Sequence, residues 1–326
     1  MRLITLRVIQ TNKRLYVKVF LVGELLVNQK INESEPKLES MLQLLFTAMS
    51  TGAIYGAMGI GFVVIHRMTG MVNFAQGDIA VTGAFGAVVA SAVMPPLAAI
   101  LVGAICAAII SVVMYHLAIR PLRRQGLLVQ TIVTLGVGIA LRSALQLIFG
   151  TGPRQFDPIT QGPSLSVGGA AIPLQSLWVI AITVVAYLIL TIFFNRTVTG
   201  KALSACAVNP YAAGVVGISL TVMATVAFAL SGAISGAVLA TQVPTSFITV
   251  GAGFALGLKG FIAAILGGFD KLGLTLIGGV IIAAVETFAA MNISTTHSET
   301  IVFALLILLL IVRPQGLTRK LVSDRV

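Results

Sequence analysis

Charge is what this chain has least of. Asp, Glu, Lys and Arg make up 10% of its 326 residues, where a soluble globular domain carries about 25%. With so little charge and a mean hydropathy of +1.03, the chain reads as one that lives in lipid. Cysteine is nearly absent too. Cys106 lies in an apolar run and Cys206 in a polar loop, and two such residues make neither a disulfide framework nor a metal set. Glu286 and His297 have no metal-ligand spacing, and no Ser/His or paired-Asp arrangement stands out, so catalysis and bound cofactors are not expected. The GxxxxGK[ST] pattern is missing, which excludes a P-loop nucleotide site in this chain.

What the chain does have is apolar length. Crossing hydrocarbon takes about 20 apolar residues, and the Ala-, Leu-, Val- and Gly-rich runs lack the alternation of a barrel strand. In lipid the backbone must satisfy its own hydrogen bonds, which leaves helices. Nine candidate spans fall at roughly 41–65, 72–94, 97–119, 127–149, 174–194, 219–243, 251–269, 272–293 and 297–312. The expected fold is therefore an all-α integral membrane protein, a polytopic helical bundle of about 8–9 transmembrane segments. Gly52-x3-Gly56 and Gly232-x3-Gly236 suit closely packed membrane helices. Pro95-Pro96 reads as a turn, residues 150–173 as one long loop, and Trp178 as an interfacial anchor.

The net charge of +11 does not mark a nucleic-acid binder, because the basic residues sit in short loops between spans. His66-Arg67, Arg120 to Arg124, Arg196 to Lys201, Lys271 and the tail after Val312 would share one side. That side holds eleven Lys and Arg from residue 41 onward, against Arg154 alone in the opposite loops. The imbalance puts the C-terminus and the basic tail 318–326 in the cytoplasm. Residues 1–40 carry seven Lys and Arg and no apolar core for a signal peptide. They are read as an extension upstream of a start at Met41, the alternative being a basic arm at the interface.

Four charges fall where lipid should be: Asp78, Arg142, Lys259 and Glu286. Each costs about 2.5–3.5 kcal/mol at a helix centre on insertion scales, so each should face protein or water. Asp78 belongs to the oddest stretch, "HRMTGMVNFAQGDIAVTGAF", where Gly70, Gly77 and Gly83 accompany Asn73 and Gln76. A broken helix near 70–80 would free backbone groups for those polar side chains to occupy. Such a break is tolerated at membrane depth only against protein or a water-filled cavity. The stretch reads as part of a translocation path or its gate, or as a cytoplasmic turn with a structural role. "NFAQGDIA" at 73–80 is echoed by "GFALGLKGF" at 253–261, in spans expected to run in opposite directions. An inverted repeat would give that pattern, with Asp78 and Lys259 on facing helices.

The segment 195–219, "NRTVTGKALSACAVNPYAAGVVGIS", is the longest assigned to the cytoplasm between spans. Asn209 followed by Pro210 is a good helix start, and a short helix from there would end near Gly217. It suits docking into a cleft of another protein, or resting on lipid.

These stretches together resemble LivH-type permeases, the branched-chain amino acid subunits of binding-protein-dependent ABC importers. The resemblance runs from "GAIYGAMGIGFVVIHRMTGMVNFAQGD" through "RPLRRQG", "TLGVGIALRS", "GKALSACAVNPYAAGVVGIS", "GFALGLKGFIAAILGGF" and "IIAAVETF" to "FALLILLLIVRPQGL", about residues 45 to 317. It implies a permease domain over 41–317 in a bacterial inner membrane. Its implied partners are a second permease of LivM type, two cytoplasmic ABC ATPases and a periplasmic solute-binding protein. Gly200, Lys201, Asn209, Pro210, Ala213 and Gly217 would then belong to the segment that couples to an ATPase. Asn73, Gly77, Lys259 and Glu286 match family positions, whereas Gln76 and Asp78 replace the common His and Glu. Gln cannot titrate near neutral pH as His can. Arg142 stands where many relatives have Gln, and a fixed cation there would favour solutes bearing a carboxylate. A self-sufficient channel or ion-coupled transporter, with Asp78, Lys259 and Glu286 as relay groups, is the competing reading of the same residues.

Overall fold

A computed structural model of the chain describes residues 35–292 and 297–312. Most of the expected extension, residues 313–317 and the tail 318–326 lie outside the described residues. In order, the helices are α1 Glu35–Thr69, α2 Gln76–Ala90, α3 Pro96–Met114, α4 Leu127–Phe149, α5 Leu174–Arg196, α6 Val198–Val208, α7 Pro210–Val215, α8 Leu220–Gln242, α9 Ala252–Leu266, α10 Leu272–Asn292 and α11 Ser298–Val312. The only sheet among the described residues is a hairpin inside the long loop. Its strands, Leu165–Val167 and Ala170–Ile172, pair antiparallel across Gly168 and Gly169.

The architecture is helical, but fewer than nine helices among the described residues have the length of a full crossing. Among the described residues, six helices are long and apolar enough to cross a membrane: α1, α3 with its continuation to Leu122, α4, α5, α8 and α10. The expected spans at 72–94 and 251–269 shrink to helices of 15 residues each. At 1.5 Å per residue these are about 22 Å long, short of the roughly 30 Å hydrocarbon core. In the first, the polar return through Asn73 and Ala75 delays the helix to Gln76, and in the second the helix stops at Leu266 before Gly267, neither of which hydropathy alone shows. Pro95 and Pro96 behave as expected, Pro95 capping α3 in an extended conformation and Pro96 opening its first turn. α3 then passes through a π-helical turn, Tyr115–Ile119, into a 3-10 turn at Arg120–Leu122.

α1 is the central post, packed on α8, α9 and α10, while α2 and α3 close around α8. The small-residue motifs make this closeness possible. A Cβ on Gly52 would stand 2.5 Å from the Val280 Cα, and one on Gly232 would stand 2.5 Å from the Ala107 carbonyl oxygen. α4 and α5 sit at the periphery, their membrane-crossing windows 17% and 22% buried.

The basic loops gather at one end. His66 to Gly70, Phe194, Leu203, Ser204, Cys206 to Val208, Pro210 and Gly268 to Asp270 line one cavity of about 750 Å³ there. Arg67 pairs with Asp270 at 3.5 Å and also donates to its backbone carbonyl. The other end carries Arg154, bridged through its backbone to Ile248 at 2.9 Å, with Gln155 donating to the Pro244 carbonyl.

Candidate functional site

The chain does not continue α1 into α2. α1 stops at Thr69, Gly70 turns at φ +74°, and residues 71–75 climb back along the bundle before a helix resumes at Gln76. That return is why so many polar groups are buried. Asn73 turns its carbonyl oxygen on the next-but-one amide, Ala75 N at 3.1 Å, and its amide nitrogen reaches Gln76 Oε1 at 3.4 Å. Phe74 N donates to Thr134 Oγ1 of α4 at 2.9 Å. Gln76 is fully buried; its Nε2 donates to Ser235 Oγ at 2.9 Å and to the Ser231 carbonyl at 3.2 Å. Ser231 Oγ lies 2.9 Å from Gln76 Oε1 and donates at 3.0 Å to the Gly61 carbonyl. Gly61 and Ser231 are well inside α1 and α8, so α2 begins in the interior of the bundle.

α9 begins there as well. It enters from the opposite end of the molecule, and its first turns cross those of α2. A Cβ on Gly77 would fall on the Gly253 carbonyl oxygen, with Gly257 N 2.8 Å away, and one on Gly253 would stand 2.9 Å from the Asp78 Cα. From this crossing α2 runs toward the end that holds Arg154. α9 runs toward the basic end, closing at Gly267 against Thr275. Below the crossing, ring contacts pass from Phe62 and Phe74 to Phe261, on to Phe269 and to His66 at the wall of the basic-end cavity. Phe269, at φ +54°, is the one non-glycine residue with positive φ among the described residues.

The four intramembrane charges resolve into two separate centres. Asp78, 2% exposed, takes a forked contact from Arg142 of α4, with Nε at 3.2 Å and Nη2 at 3.1 and 3.2 Å from its oxygens. The guanidinium also lies 5.8 Å from the Phe254 ring centroid. Lys259, 4% exposed, donates to Glu286 at 2.6 Å and to Glu299 at 3.0 Å, and its ammonium sits 5.3 Å from the Tyr55 ring centroid. Tyr55 OH donates to the second Glu286 oxygen at 2.7 Å. Asp78 and Lys259 thus stand on crossing helices, but each is neutralised by other partners.

Sequence reasoning passed over Tyr55, Ser231, Ser235, Phe254 and Glu299. Ser231 and Ser235 were readable as polar residues one turn apart on the Gly232-x3-Gly236 face. Glu299 opens a short helix after "STTHS" and looks like loop.

The 195–219 segment forms two helices rather than one. Thr197 caps α6 by accepting from Gly200 N at 3.0 Å, and Asn209 caps α7 by accepting from Ala212 N at 3.0 Å. Gly217, at φ +88°, ends the pair. α6 is anchored on α1, α5 and α8 by buried Gly200, Leu203 and Cys206, and burial pushes the Cys206 thiol above its ordinary range. Lys201 and Pro210 are exposed, and Ala213 is buried. Asn209→Ala is expected to loosen α7 by about 1 kcal/mol, seen as faster amide exchange at Ala212 and Ala213 in hydrogen–deuterium exchange.

Residues 44–311 match the family described as branched-chain amino acid transport system, permease component. The chain belongs to that family. It is a multi-pass integral membrane protein and the permease component of an ABC-type transport system. Among relatives of the permease, BraD of Pseudomonas aeruginosa, a high-affinity branched-chain amino acid transport system permease protein, is 27% identical over 86% of this chain and 97% of its own length. LivH of Escherichia coli, described in the same words, is 29% identical over 85% of this chain and 94% of its own. Among solved structures, PsaBC from Streptococcus pneumoniae in complex with Fab aligns over 82% of this chain and 89% of its own at 16% identity and a TM-score of 0.44.

Proposed function

We propose that this permease is the membrane subunit of an importer for amino acids or related small carboxylates, driven by ATPases that dock on α6 and α7. The observation that carries the reading is the state of that helix pair. α6 is locked to three helices of the bundle, while Val208, Tyr211, Val215 and Val216 around α7 are each more than 70% exposed. A contiguous apolar surface on an otherwise well-packed element marks a docking site. A rigid anchor behind it lets motion of a bound motor reach the bundle as a lever. The gathering of basic loops at this end supports a cytoplasmic placement, in a bacterial inner membrane.

The path would run along the α2–α9 crossing, with Asn73, Gln76, Gly77, Asp78, Arg142, Lys259 and Glu286 as its lining or gate. Half-length helices whose N-termini meet in mid-bundle while running in opposite directions fit an inverted repeat with its site at the repeat interface. The ring contacts from Phe62 to Phe269 would then close the path toward the cytoplasm. The role expected for Arg142 needs one amendment. Its charge is already offset by Asp78, so it would select carboxylates only by exchanging partners during transport. By their names, BraD and LivH serve branched-chain amino acids, and the complex here would follow the same plan: a second permease of LivM type, paired ATPases and an external binding protein.

The test is uncoupling. In the complex reconstituted with its ATPases and binding protein, Tyr211→Glu is expected to cut ATP-dependent uptake at least ten-fold while leaving the amount of permease in the membrane unchanged. Uptake by the permease alone, with no nucleotide consumed, would favour a self-sufficient transporter and overturn the reading.

A further inference from the structure

The Lys259 centre does not balance its charge. One ammonium meets two carboxylates, and only Glu286 is fully occupied, one oxygen by Lys259 and the other by Tyr55 OH. Glu299 gives a single oxygen to Lys259 and remains 55% exposed. It lines a cavity of about 320 Å³ that lies between the Thr51–Tyr55 turn of α1, the Gln242 end of α8 and the first two turns of α9. Gln242 lines the same cavity. Its Nε2 is used, donating to Ser246 Oγ at 2.9 Å, but its Oε1 is buried without a hydrogen-bond partner.

A buried acceptor left unmet is costly, and native structures rarely keep one without a purpose. A carboxylate with an open oxygen and an amide oxygen without a donor ask for the same thing, a group that brings several N–H bonds and a positive charge. Most of the remaining wall is hydrocarbon, from Ile54, Leu239, Val243, Phe247 and Leu256; Thr51, Ser246 and Lys259 also line it, the last already paired with both Glu286 and Glu299. The volume corresponds to roughly ten waters at about 30 Å³ each, which is room for a small solute with a short aliphatic chain.

We propose that this cavity is a binding subsite for the primary ammonium group of the solute, with Glu299 as counter-charge, Gln242 Oε1 as second acceptor and the aliphatic wall holding the side chain. The proposal rests on the reading that the permease passes an amino acid. It assigns the two ends of that solute to different centres. The ammonium is held here, at the Lys259 centre, while the Asp78–Arg142 pair is left for the carboxylate.

The experiment measures binding without turnover. The complex in lipid nanodiscs, without nucleotide or binding protein, is titrated at constant ionic strength with isopentylamine, L-leucine, 4-methylpentanoate, NaCl or KCl, and its unfolding temperature is followed. Isopentylamine and L-leucine are expected to raise that temperature saturably, and 4-methylpentanoate is not. Glu299→Gln should weaken the amine response at least ten-fold and Gln242→Leu several-fold. The second variant keeps the test open should the first not fold. An amine response that survives both substitutions, or an equal response to 4-methylpentanoate, overturns the proposal. So does a saturable, Glu299-dependent response to sodium or potassium with none added by the amine, which would make the cavity an inorganic cation site. A complex that binds the amine but imports nothing under ATP keeps the subsite and loses the transport reading; one that imports but ignores the amine does the reverse.

Discussion

A single methyl group at Gly77 is expected to break the centre of the bundle. The Cβ of Gly77→Ala would land on the Gly253 carbonyl oxygen with the Gly257 amide nitrogen close behind, and the reciprocal Cβ on Gly253 would meet the Asp78 backbone. Overpacking a core usually costs about 1–3 kcal/mol, because neighbouring side chains turn aside. Here the obstructing atoms are helical backbone, so the two helices themselves must separate. Separation pulls Asp78 from Arg142, and Gln76 from Ser231 and Ser235, leaving polar groups unpaired where unmet hydrogen bonds are most expensive. Gly77→Ala is therefore expected to lower the unfolding temperature in detergent by several degrees, and Gly77→Val to prevent accumulation in the membrane. Gly136→Ala, where a Cβ meets nothing within 4 Å, is the matched control and should be neutral. Wild-type stability for Gly77→Val would mean that the α2–α9 crossing is not as described.

That crossing also marks how far the sequence could be read. The helical class, the close packing at Gly52, Gly56, Gly232 and Gly236, the turn at Pro95-Pro96 and the cap at Asn209 each follow from a local rule. A glycine three or four residues from another, or an Asn before a Pro, acts through atoms nearby in the chain. Hydropathy overcounted the crossings for the opposite reason. A window average over 72–94 or 251–269 responds to composition, whereas a helix starts where the backbone hydrogen bonds can begin. The start near 72 was moved to Gln76 by contacts far away in sequence, with Thr134 and Ser231, and the second helix was cut short at Leu266, where Gly267 packs on Thr275. The shared Phe-Ala-x-Gly of the two stretches pointed at a relation between them, yet it could not say that their glycines touch.

Pairing of the charges was still less legible. An Asp in one membrane helix must find a partner, but nothing in the spacing chooses between Arg142 and Lys259. Packing made the choice. α4 lies against α2 at Gly138, where a Cβ would stand 2.7 Å from an Asp78 oxygen, and Arg142 is one turn further along the same face. Lys259, on α9, is carried past Asp78 toward α10 and α11, where Glu286 and Glu299 stand. Glu299 was missed because a charge in the first turn after a polar loop looks solvated until the helix beside it is known.

Removing Arg142 should cost more than its own contacts. Asp78 is 2% exposed, and with Arg142→Leu its carboxylate would lose the forked contact that offsets its charge. Taking one partner from a buried ion pair typically destabilises by about 3–5 kcal/mol, since the other charge is left uncompensated, whereas replacing both is often near neutral. Arg142→Leu is thus expected to reduce the permease in the membrane severely. Asp78→Asn with Arg142→Gln should return most of the stability, because two amides can share hydrogen bonds without a charge to solvate. The non-additivity in unfolding temperature across wild type, Asp78→Asn, Arg142→Gln and their double variant measures the coupling. The double variant then separates structure from function. It folds without the forked cation, so import of carboxylic acids should fall relative to the corresponding neutral amides in competition assays if Arg142 exchanges Asp78 for solute. Unchanged selectivity in a stable double variant would make the pair a bolt between α2 and α4 and leave discrimination to the binding protein and the Lys259 centre.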